Sequence, residues 1–143
     1  MCFYTRGLPC FNELRSLFYI NRVKIVPKDI YNLLTPVALA HLIMGDGVAK
    51  QFGLIICTDV PPSSRKLPYT IYGIGGTGWG GSYNIVDVVR LMNVLIIRYN
   101  LDCTIRFHTP TQPRIYIRQS SMPTVRELVR PYMAKSMLYK IGL

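Results

Sequence analysis

One acid and a row of basic side chains are the residues of this chain whose placement could support chemistry. The acid, Asp46, comes near the end of an almost wholly apolar stretch that reads TPVALAHLIMGDG from Thr35. Thr35 suits the N-cap of a helix, Pro36 suits its first turn, and Gly47 suits the left-handed residue that ends it. The stretch therefore predicts a helix over residues 36–46. An acid at the end of such a helix is explained either by solvation or by a functional role, because burying an unpaired charge is costly.

One face of this predicted helix carries small side chains. The period of the helix places four residues on that face: Ala38, His41, Leu42 and Gly45. Small groups at positions 38 and 45 would allow a second helix to approach closely. The face is therefore predicted to be a helix-to-helix interface. His41 is interpreted as part of this interface, since it lacks the spacing of a metal pair with His108.

Basic side chains alternate with apolar ones along a predicted β-hairpin. In residues 103–108 and 114–118 every second residue is apolar, which predicts two strands with one face turned inward. A twisted two-stranded ribbon that bears Arg and Thr can enter the major groove of DNA, where arginine reads guanine. The alternative is an antiparallel sheet that only solvates its outer face. The predicted DNA contacts are Thr104, Arg106, His108, Arg114, Tyr116 and Arg118.

The overall charge favours an anionic partner. The chain has 17 Lys and Arg residues against 7 Asp and Glu, which gives a net charge of +10. A polyanion is the simplest partner, because neutralised phosphates release counterions and so supply affinity; solubility alone and anionic lipid are the alternatives. No apolar window is long enough to predict a membrane span. The 4 cysteines have no CxxC pairing, so neither a zinc site nor a disulfide framework is predicted.

The order of the predicted elements indicates an α+β fold. After the first long helix come an apolar strand at 53–58, a helix at about 83–99 capped by Ser82, the hairpin, and a last helix that opens at residues 121–123. In the helix at 83–99, Asp87, Arg90 and Arg98 are expected to lie toward water, and the stripe expected to face the core is Val86, Val89, Met92 and Ile96. The predicted architecture is an antiparallel sheet with helices on one face and a polar, basic surface on the other.

The segment LAHLIMGDG, from Leu39 to Gly47, resembles the LAGLIDADG signature of the homing endonucleases. His41 and Met44 depart from that signature, and six of the nine positions are identical to it: Leu39, Ala40, Leu42, Ile43, Asp46 and Gly47. In this family two such helices pack side by side. The resemblance implies that the acid at the position of Asp46 in each helix binds a divalent metal over the scissile phosphates.

The resemblance extends well beyond the signature helix. GLIICTD, the run from VDVVRLMN to IRQSSMP, and PYMAKSMLYKI look like the downstream part of mitochondrial two-motif LAGLIDADG endonucleases and maturases. The upstream LFYINRVKIVPKDIYNLLTP resembles the stretch between the two motifs. The chain thus resembles the C-terminal half of a two-motif member. It would have an N-terminal extension at 1–34 and a single LAGLIDADG domain at 35–143, with an insertion at about 60–81.

The activity that the resemblance implies is site-specific cleavage of double-stranded DNA for intron homing. The expected cofactor is a divalent metal, Mg²⁺, held by Asp46 with the carbonyl near Gly45 as helper. Lys135 and Lys140 are expected to stabilise charge near the phosphates. One signature helix supplies one acid, so the second helix is expected to come from a homodimer partner or from a missing N-terminal half.

Two other functions stay open for the same fold. An RNA maturase would help the intron RNA of its host to fold and would need no cleavage. A catalytically inactive, nucleic-acid-binding remnant would retain the fold alone. The resemblance also implies a mitochondrial location, although residues 1–24 show no clear targeting peptide.

Overall fold

The computed structural model describes residues 4, 6–21, 23–58, 83–110 and 112–143; the predicted insertion and Ser82 lie outside them. The α-helices are α1 (Cys10–Phe18), α2 (Ile30–Leu33), α3 (Pro36–Asp46), α4 (Ile85–Tyr99) and α5 (Met122–Val129). Short 3₁₀ segments span Gln119–Ser121, Arg130–Tyr132 and Lys135–Ile141. The strands are β1 (Tyr19–Ile20), β2 (Val23–Lys24), β3 (Gly47–Lys50), β4 (Gly53–Ile56), β5 (Cys103–Thr109) and β6 (Gln112–Arg118). No helix among the described residues is long and apolar enough to cross a membrane.

An antiparallel sheet organises the fold, with its strands in the order β3-β4-β6-β5. Across its centre Ile115 pairs with Ile56 on one side and with Ile105 on the other. Successive side chains of a strand point to opposite faces, and one face is buried under the helices as a single core; its fully buried residues include Leu54, Ile56, Ile115 and Ile117. The other face is open and carries the basic strand residues. The predicted α+β architecture is confirmed.

Helix α3 lies in this core and has the bounds that the sequence predicts. The hydroxyl of Thr35 caps it by accepting a hydrogen bond from the amide of Ala38 at 3.2 Å. The predicted left-handed conformation of Gly47 is wrong: its φ of −78° and ψ of 139° are extended, because the chain passes directly into β3. Glycine is needed there for space instead, since a Cβ would lie 2.5 Å from the carbonyl oxygen of Ile43.

Helix α4 turns to the core a different face from the predicted one. It is capped by Asn84, whose Oδ1 accepts a hydrogen bond from the amide of Val86 at 3.1 Å. Val86 is 61% exposed and Ile96 is 37% exposed, so the predicted inward stripe is wrong at these two positions. Val89 is half-buried, and Met92 is partly buried against the core. The buried apolar residues are Val88, Leu91, Val94 and Leu95. Asp87, expected in water, is buried and pairs with Arg90 at 3.3 Å. Both faces of the helix are rich in apolar residues, so periodicity alone did not select the packed face.

Arg90 and Arg98 of α4, also expected to lie toward water, are half-buried and bind the segment that precedes α3. Arg90 donates to the carbonyl of Val26 at 3.0 Å, and Arg98 donates to the carbonyl of Leu34 at 3.0 Å. Val26 and Leu34 are themselves buried in the core. These contacts fix the segment that follows β2, and so they help to position Lys24 at the end of that strand.

Candidate active site and nucleic-acid interface

The carboxylate of Asp46 lies where α3 meets the sheet. The Asp46 carbonyl accepts a hydrogen bond from the amide of Cys57 at 2.9 Å, which ties the helix end to the residue after β4. The Asp46 side chain itself is exposed. Within the described ranges, no group of three His, Cys, Asp or Glu side chains could hold a metal ion. Asp46 would therefore need further oxygen ligands from beyond these residues to hold a divalent cation.

Lys140 reaches the end of α3 from the C-terminal 3₁₀ segment. Its Nζ is partly buried and donates to the carbonyl of Met44 at 2.6 Å. The amide of Ala134 donates to the sulfur of Met44 at 3.4 Å, which holds the start of this segment against α3. Lys135, predicted to act together with Lys140, is exposed at the other end of the segment. The structure thus brings Lys140 to the neighbourhood of Asp46.

Lys24 is a second basic residue of this site, and sequence reasoning missed it. It ends β2, and its Nζ lies 4.7 Å from the centroid of the Tyr83 ring. The amide of Tyr83 donates to the carbonyl of Thr58 at 3.1 Å, one residue beyond the contact that Cys57 makes with Asp46. The signal available in the sequence was only that Lys24 falls in the stretch resembling the segment between two motifs.

The charge of Asp46 is incompletely compensated by these neighbours. Partial desolvation raises the pKa of the Asp46 carboxyl even though the side chain keeps contact with solvent, and the charges of Lys24 and Lys140 oppose that rise. Burial also raises the pKa of the Tyr83 hydroxyl, again with Lys24 opposing the effect. Asp46, Lys24, Lys140 and Tyr83 therefore form one electrostatic unit, which we call the Asp46 cluster.

Replacing Asp46 by Asn is expected to stabilise the fold at neutral pH. Because folding raises the pKa of Asp46, the folded state binds more protons than the unfolded state just above the ordinary carboxyl pKa of about 4, and stability falls as the pH rises through that window. The Asn variant has no carboxyl group at this position, so its free energy of unfolding does not fall in this window on that account. Urea unfolding at about pH 3 and about pH 7 should show its advantage over the wild type growing with pH. An advantage that shrinks as the pH rises would contradict the raised pKa.

The predicted DNA contacts lie on the β5–β6 hairpin, where alternation turns most of them to the open face of the sheet. The exposed ones are Arg106, His108 and Arg118, and the half-buried ones are Thr104 and Arg114. The strand register shifts around His108, which lies between Phe107 and Thr109. Arg118 pairs with Asp102 at 3.2 Å. Tyr116 is only 6% exposed, with the Cζ of Arg106 3.7 Å from its ring centroid.

The predicted helix-interface residues lie on the less buried side of α3. His41 and Gly45 are exposed, and Ala38 and Leu42 are half-buried. Val37, beside them, is 45% exposed although it is apolar. A Cβ at Gly45 would meet no described atom within 4 Å. This side of α3 is therefore open enough to receive another element.

The sequence pattern of the LAGLIDADG DNA endonuclease family matches residues 1–66 and 81–125. The chain belongs to this family. The matched ranges include the whole of α3 and the whole of the β5–β6 hairpin. Residues 67–80, which the match leaves out, fall within the expected insertion.

Two curated LAGLIDADG relatives cover most of this chain. The cytochrome b mRNA maturase bI2 of Debaryomyces hansenii is 31% identical over 92% of the chain, which spans 42% of the maturase. The intron-encoded endonuclease ai4 of Dictyostelium discoideum is 27% identical over 99% of the chain, which spans 76% of that protein. A protein named as an mRNA maturase and a protein named as an intron-encoded endonuclease are thus both similar to the chain.

A solved LAGLIDADG structure shares the fold. The homing endonuclease I-WcaI, bound to its DNA recognition sequence, matches 96% of the chain with a TM-score of 0.72 and 26% sequence identity. The chain spans 54% of the I-WcaI chain. This agreement confirms the homing-endonuclease-like fold, over about half the length of the DNA-bound protein.

LAGLIDADG endonucleases generally use a divalent metal. The Asp46 cluster fits one half of such a site: it offers an exposed carboxylate, the type of oxygen ligand that hard divalent cations prefer, at the end of the signature helix. A single carboxylate does not complete a coordination shell. The other ligands would have to come from a second signature helix, from the nucleic acid and from water.

Proposed function

We propose that this chain is a site-specific double-strand DNA endonuclease of the intron-homing type. The observation that carries the proposal is the Asp46 cluster: a carboxylate at the end of the signature helix, accompanied by two lysines from opposite ends of the chain. A carboxylate with nearby cations suits hydrolysis of a phosphodiester, where negative charge develops on the phosphate oxygens. The DNA-bound state of I-WcaI supports DNA as the substrate.

The residues of the cluster have separate roles in this proposal. Asp46, with the carbonyl near Gly45, would hold Mg²⁺, which when bound would activate water and stabilise the leaving oxygen. Lys24 and Lys140 would donate hydrogen bonds to the oxygens of the scissile phosphate. Lys135, exposed at the start of the same 3₁₀ segment, would contribute a weaker attraction for the phosphate backbone.

The open sheet face would hold the DNA duplex beside this cluster. Sequence would be read from the hairpin by five of the predicted DNA contacts: Thr104, Arg106, His108, Arg114 and Arg118. The sixth, Tyr116, is only 6% exposed and lies beneath the guanidinium of Arg106. Because β6 pairs with β4 and β5 pairs with β6, the hairpin and the end of α3 belong to one packed body. In this proposal residues 35–143 are the nuclease domain with an insertion at about 60–81, and residues 1–34 are its extension.

The proposed site is complete only with a second acid. A second LAGLIDADG helix packed on Ala38, His41, Leu42 and Gly45 would cover Val37 and place its own acid near Asp46. That helix would come from a homodimer partner or from an N-terminal half, since the chain spans about half of I-WcaI. Two acids would allow the two DNA strands to be cut.

The proposal is tested by measuring mass and cleavage together. The 143-residue chain is purified, its mass is measured by light scattering after size exclusion, and it is incubated with Mg²⁺ and the intron-lacking form of its host gene. A dimer that cuts one site, with cleavage lost in Asp46→Asn, is the expected result. If no cut is found, the same assay is repeated with the chain joined to an N-terminal half that carries a second LAGLIDADG helix.

Two outcomes would overturn this proposal. The first is cleavage that persists in Asp46→Asn, because Asp46 could not then be the metal ligand. The second is the absence of any nick by both the chain and the joined protein, although each binds the duplex. Asp46→Asn should keep its affinity for DNA, which serves as the control for folding.

A second candidate function, RNA maturation, is favoured by the 31% identity to the bI2 maturase of Debaryomyces hansenii. Such a protein would bind intron RNA and assist splicing without needing the Asp46 carboxylate. Splicing assistance that is equal in the wild type and in Asp46→Asn, without DNA cleavage by either, would establish this alternative. Either function in an intron-encoded protein of this kind is consistent with a mitochondrial location.

A further inference from the structure

The ring of Tyr116 is fixed from several directions on the open sheet face. Its hydroxyl donates to the carbonyl of Phe52 in the β3–β4 turn at 2.6 Å. Gly53 leaves room for the ring, since a Cβ there would lie 3.3 Å from Cε2 of Tyr116. Ile55 and Thr104 are its cross-strand partners. With its hydroxyl engaged and only 6% of the residue exposed, Tyr116 has little surface left to offer a ligand.

Arg106 covers the outer face of this ring. Its Cζ lies 3.7 Å from the ring centroid, which is the distance of a stacked guanidinium. The register pairs Arg106 with Arg114 and Tyr116 with Thr104, so Arg106 and Tyr116 are diagonal neighbours on one face. Arg106 is exposed, and in the described part of the chain no carboxylate pairs with it. Arg118, in contrast, pairs with Asp102.

We infer that Tyr116 is a positioning residue that holds Arg106 in one plane, so that the guanidinium reads one guanine in the major groove. This inference rests on the proposed function and sharpens it. A flexible arginine loses rotamer freedom when it binds, whereas a stacked one has lost it already. The guanidinium edge stays available for the bidentate contact to guanine O6 and N7 that requires a defined plane. Tyr116 thus acts on the DNA through Arg106.

The test begins with selection of bound sequences from a random duplex pool. The wild-type chain should enrich one sequence, and Arg106→Ala should lose its preference at one base pair by about tenfold or more. Tyr116→Leu should lose the preference at that same base pair, and the double variant should lose no more than either single variant. Tyr116→Phe keeps the ring and should retain the preference within about threefold.

A control separates this coupling from a general loss of structure. Lys50 is exposed at the end of the edge strand β3. Within the described ranges, no hydrogen bond or ring contact joins it to Tyr116. Lys50→Ala should weaken binding to all sequences about equally, and its effect should add to that of Tyr116→Leu. A purely structural role of Tyr116 predicts instead that Tyr116→Leu weakens binding at many base pairs.

A readout without DNA decides the positioning directly. In the free wild-type protein, the ring current of Tyr116 should shift the side-chain protons of Arg106 upfield in NMR spectra, and Arg106→Lys should replace the ordered stack by a mobile side chain. Random-coil chemical shifts for the side-chain protons of Arg106 would overturn the inference, even if Tyr116→Leu fails to fold. Failure of both the wild-type chain and the joined protein to select any sequence would overturn the proposed function, whereas selection in which Tyr116→Leu keeps the Arg106-dependent preference would overturn this inference alone.

Discussion

Lys24→Met is expected to lower DNA cleavage by about 100-fold or more while leaving DNA affinity nearly unchanged. Loss of one preorganised donor to a transition-state oxyanion has this magnitude in other hydrolytic sites. The charge of Lys24 opposes the rise in the pKa of Asp46, and its ammonium lies against Tyr83, so in the proposed function it would lie near the scissile phosphate. Lys140→Met should have a comparable effect, because Lys140 lies at the same helix end. Single-turnover cleavage and filter binding on the active form of the protein measure the two quantities separately.

Lys135→Met is the matched control for these two variants. It removes the same charge from the same C-terminal 3₁₀ segment that carries Lys140, but from an exposed position. Its effect should be limited to a modest loss of affinity that depends on salt. Cleavage that falls equally in all three variants would show a general electrostatic effect, and it would remove Lys24 and Lys140 from the active site.

Gly53→Ala is expected to destabilise the fold by about 3 kcal/mol or more. Gly53 has a φ of 151°, which side chains of L-residues rarely adopt, and a Cβ there would lie 2.1 Å from the carbonyl oxygen of Ile117. The pairing of Gly53 with Arg118 places this clash between the two central strands of the sheet, so relieving it would disturb their hydrogen bonding. The midpoint of urea unfolding would measure the loss.

Gly7→Ala is the matched control for Gly53→Ala. Gly7 is exposed, and a Cβ there would meet no described atom within 4 Å. Its free energy of unfolding should stay within about 0.5 kcal/mol of the wild type. Equal stability of the two variants would mean that Gly53 does not have the backbone conformation described above.

The elements that could be predicted are those with local signals. The start of α3 follows from Thr35 and Pro36, which act within the first helical turn. The glycine after Asp46 predicted the correct last residue, although Gly47 is extended and not left-handed. The β5–β6 hairpin follows from strict alternation of apolar and polar residues. The family resemblance added the expected fold, which the solved structure of I-WcaI confirms.

The features that could not be predicted are those for which the local sequence is compatible with more than one conformation or packed face. Helix α4 is apolar on more than one side, so its period is compatible with several inward faces. In the observed packing, Arg90 donates a hydrogen bond to the carbonyl of Val26. Strand β3 is short and largely exposed, and it is defined by its pairing with β4. The extended Gly47 likewise follows from that pairing and not from any helix-ending signal.

The sequence by itself determined the signature helix, its terminal acid, the basic hairpin and the family, because caps, periodicity and motif identity are properties of neighbouring residues. The tertiary structure alone decided which lysines lie near Asp46 and which arginine stacks on a tyrosine ring. Lys24 and Lys140 are far from Asp46 along the chain, and they reach it through the packing of the N-terminal and C-terminal segments around α3. Tyr116 and Arg106 meet through strand register. Such contacts depend on the free energy of the whole packed core, which no local pattern encodes.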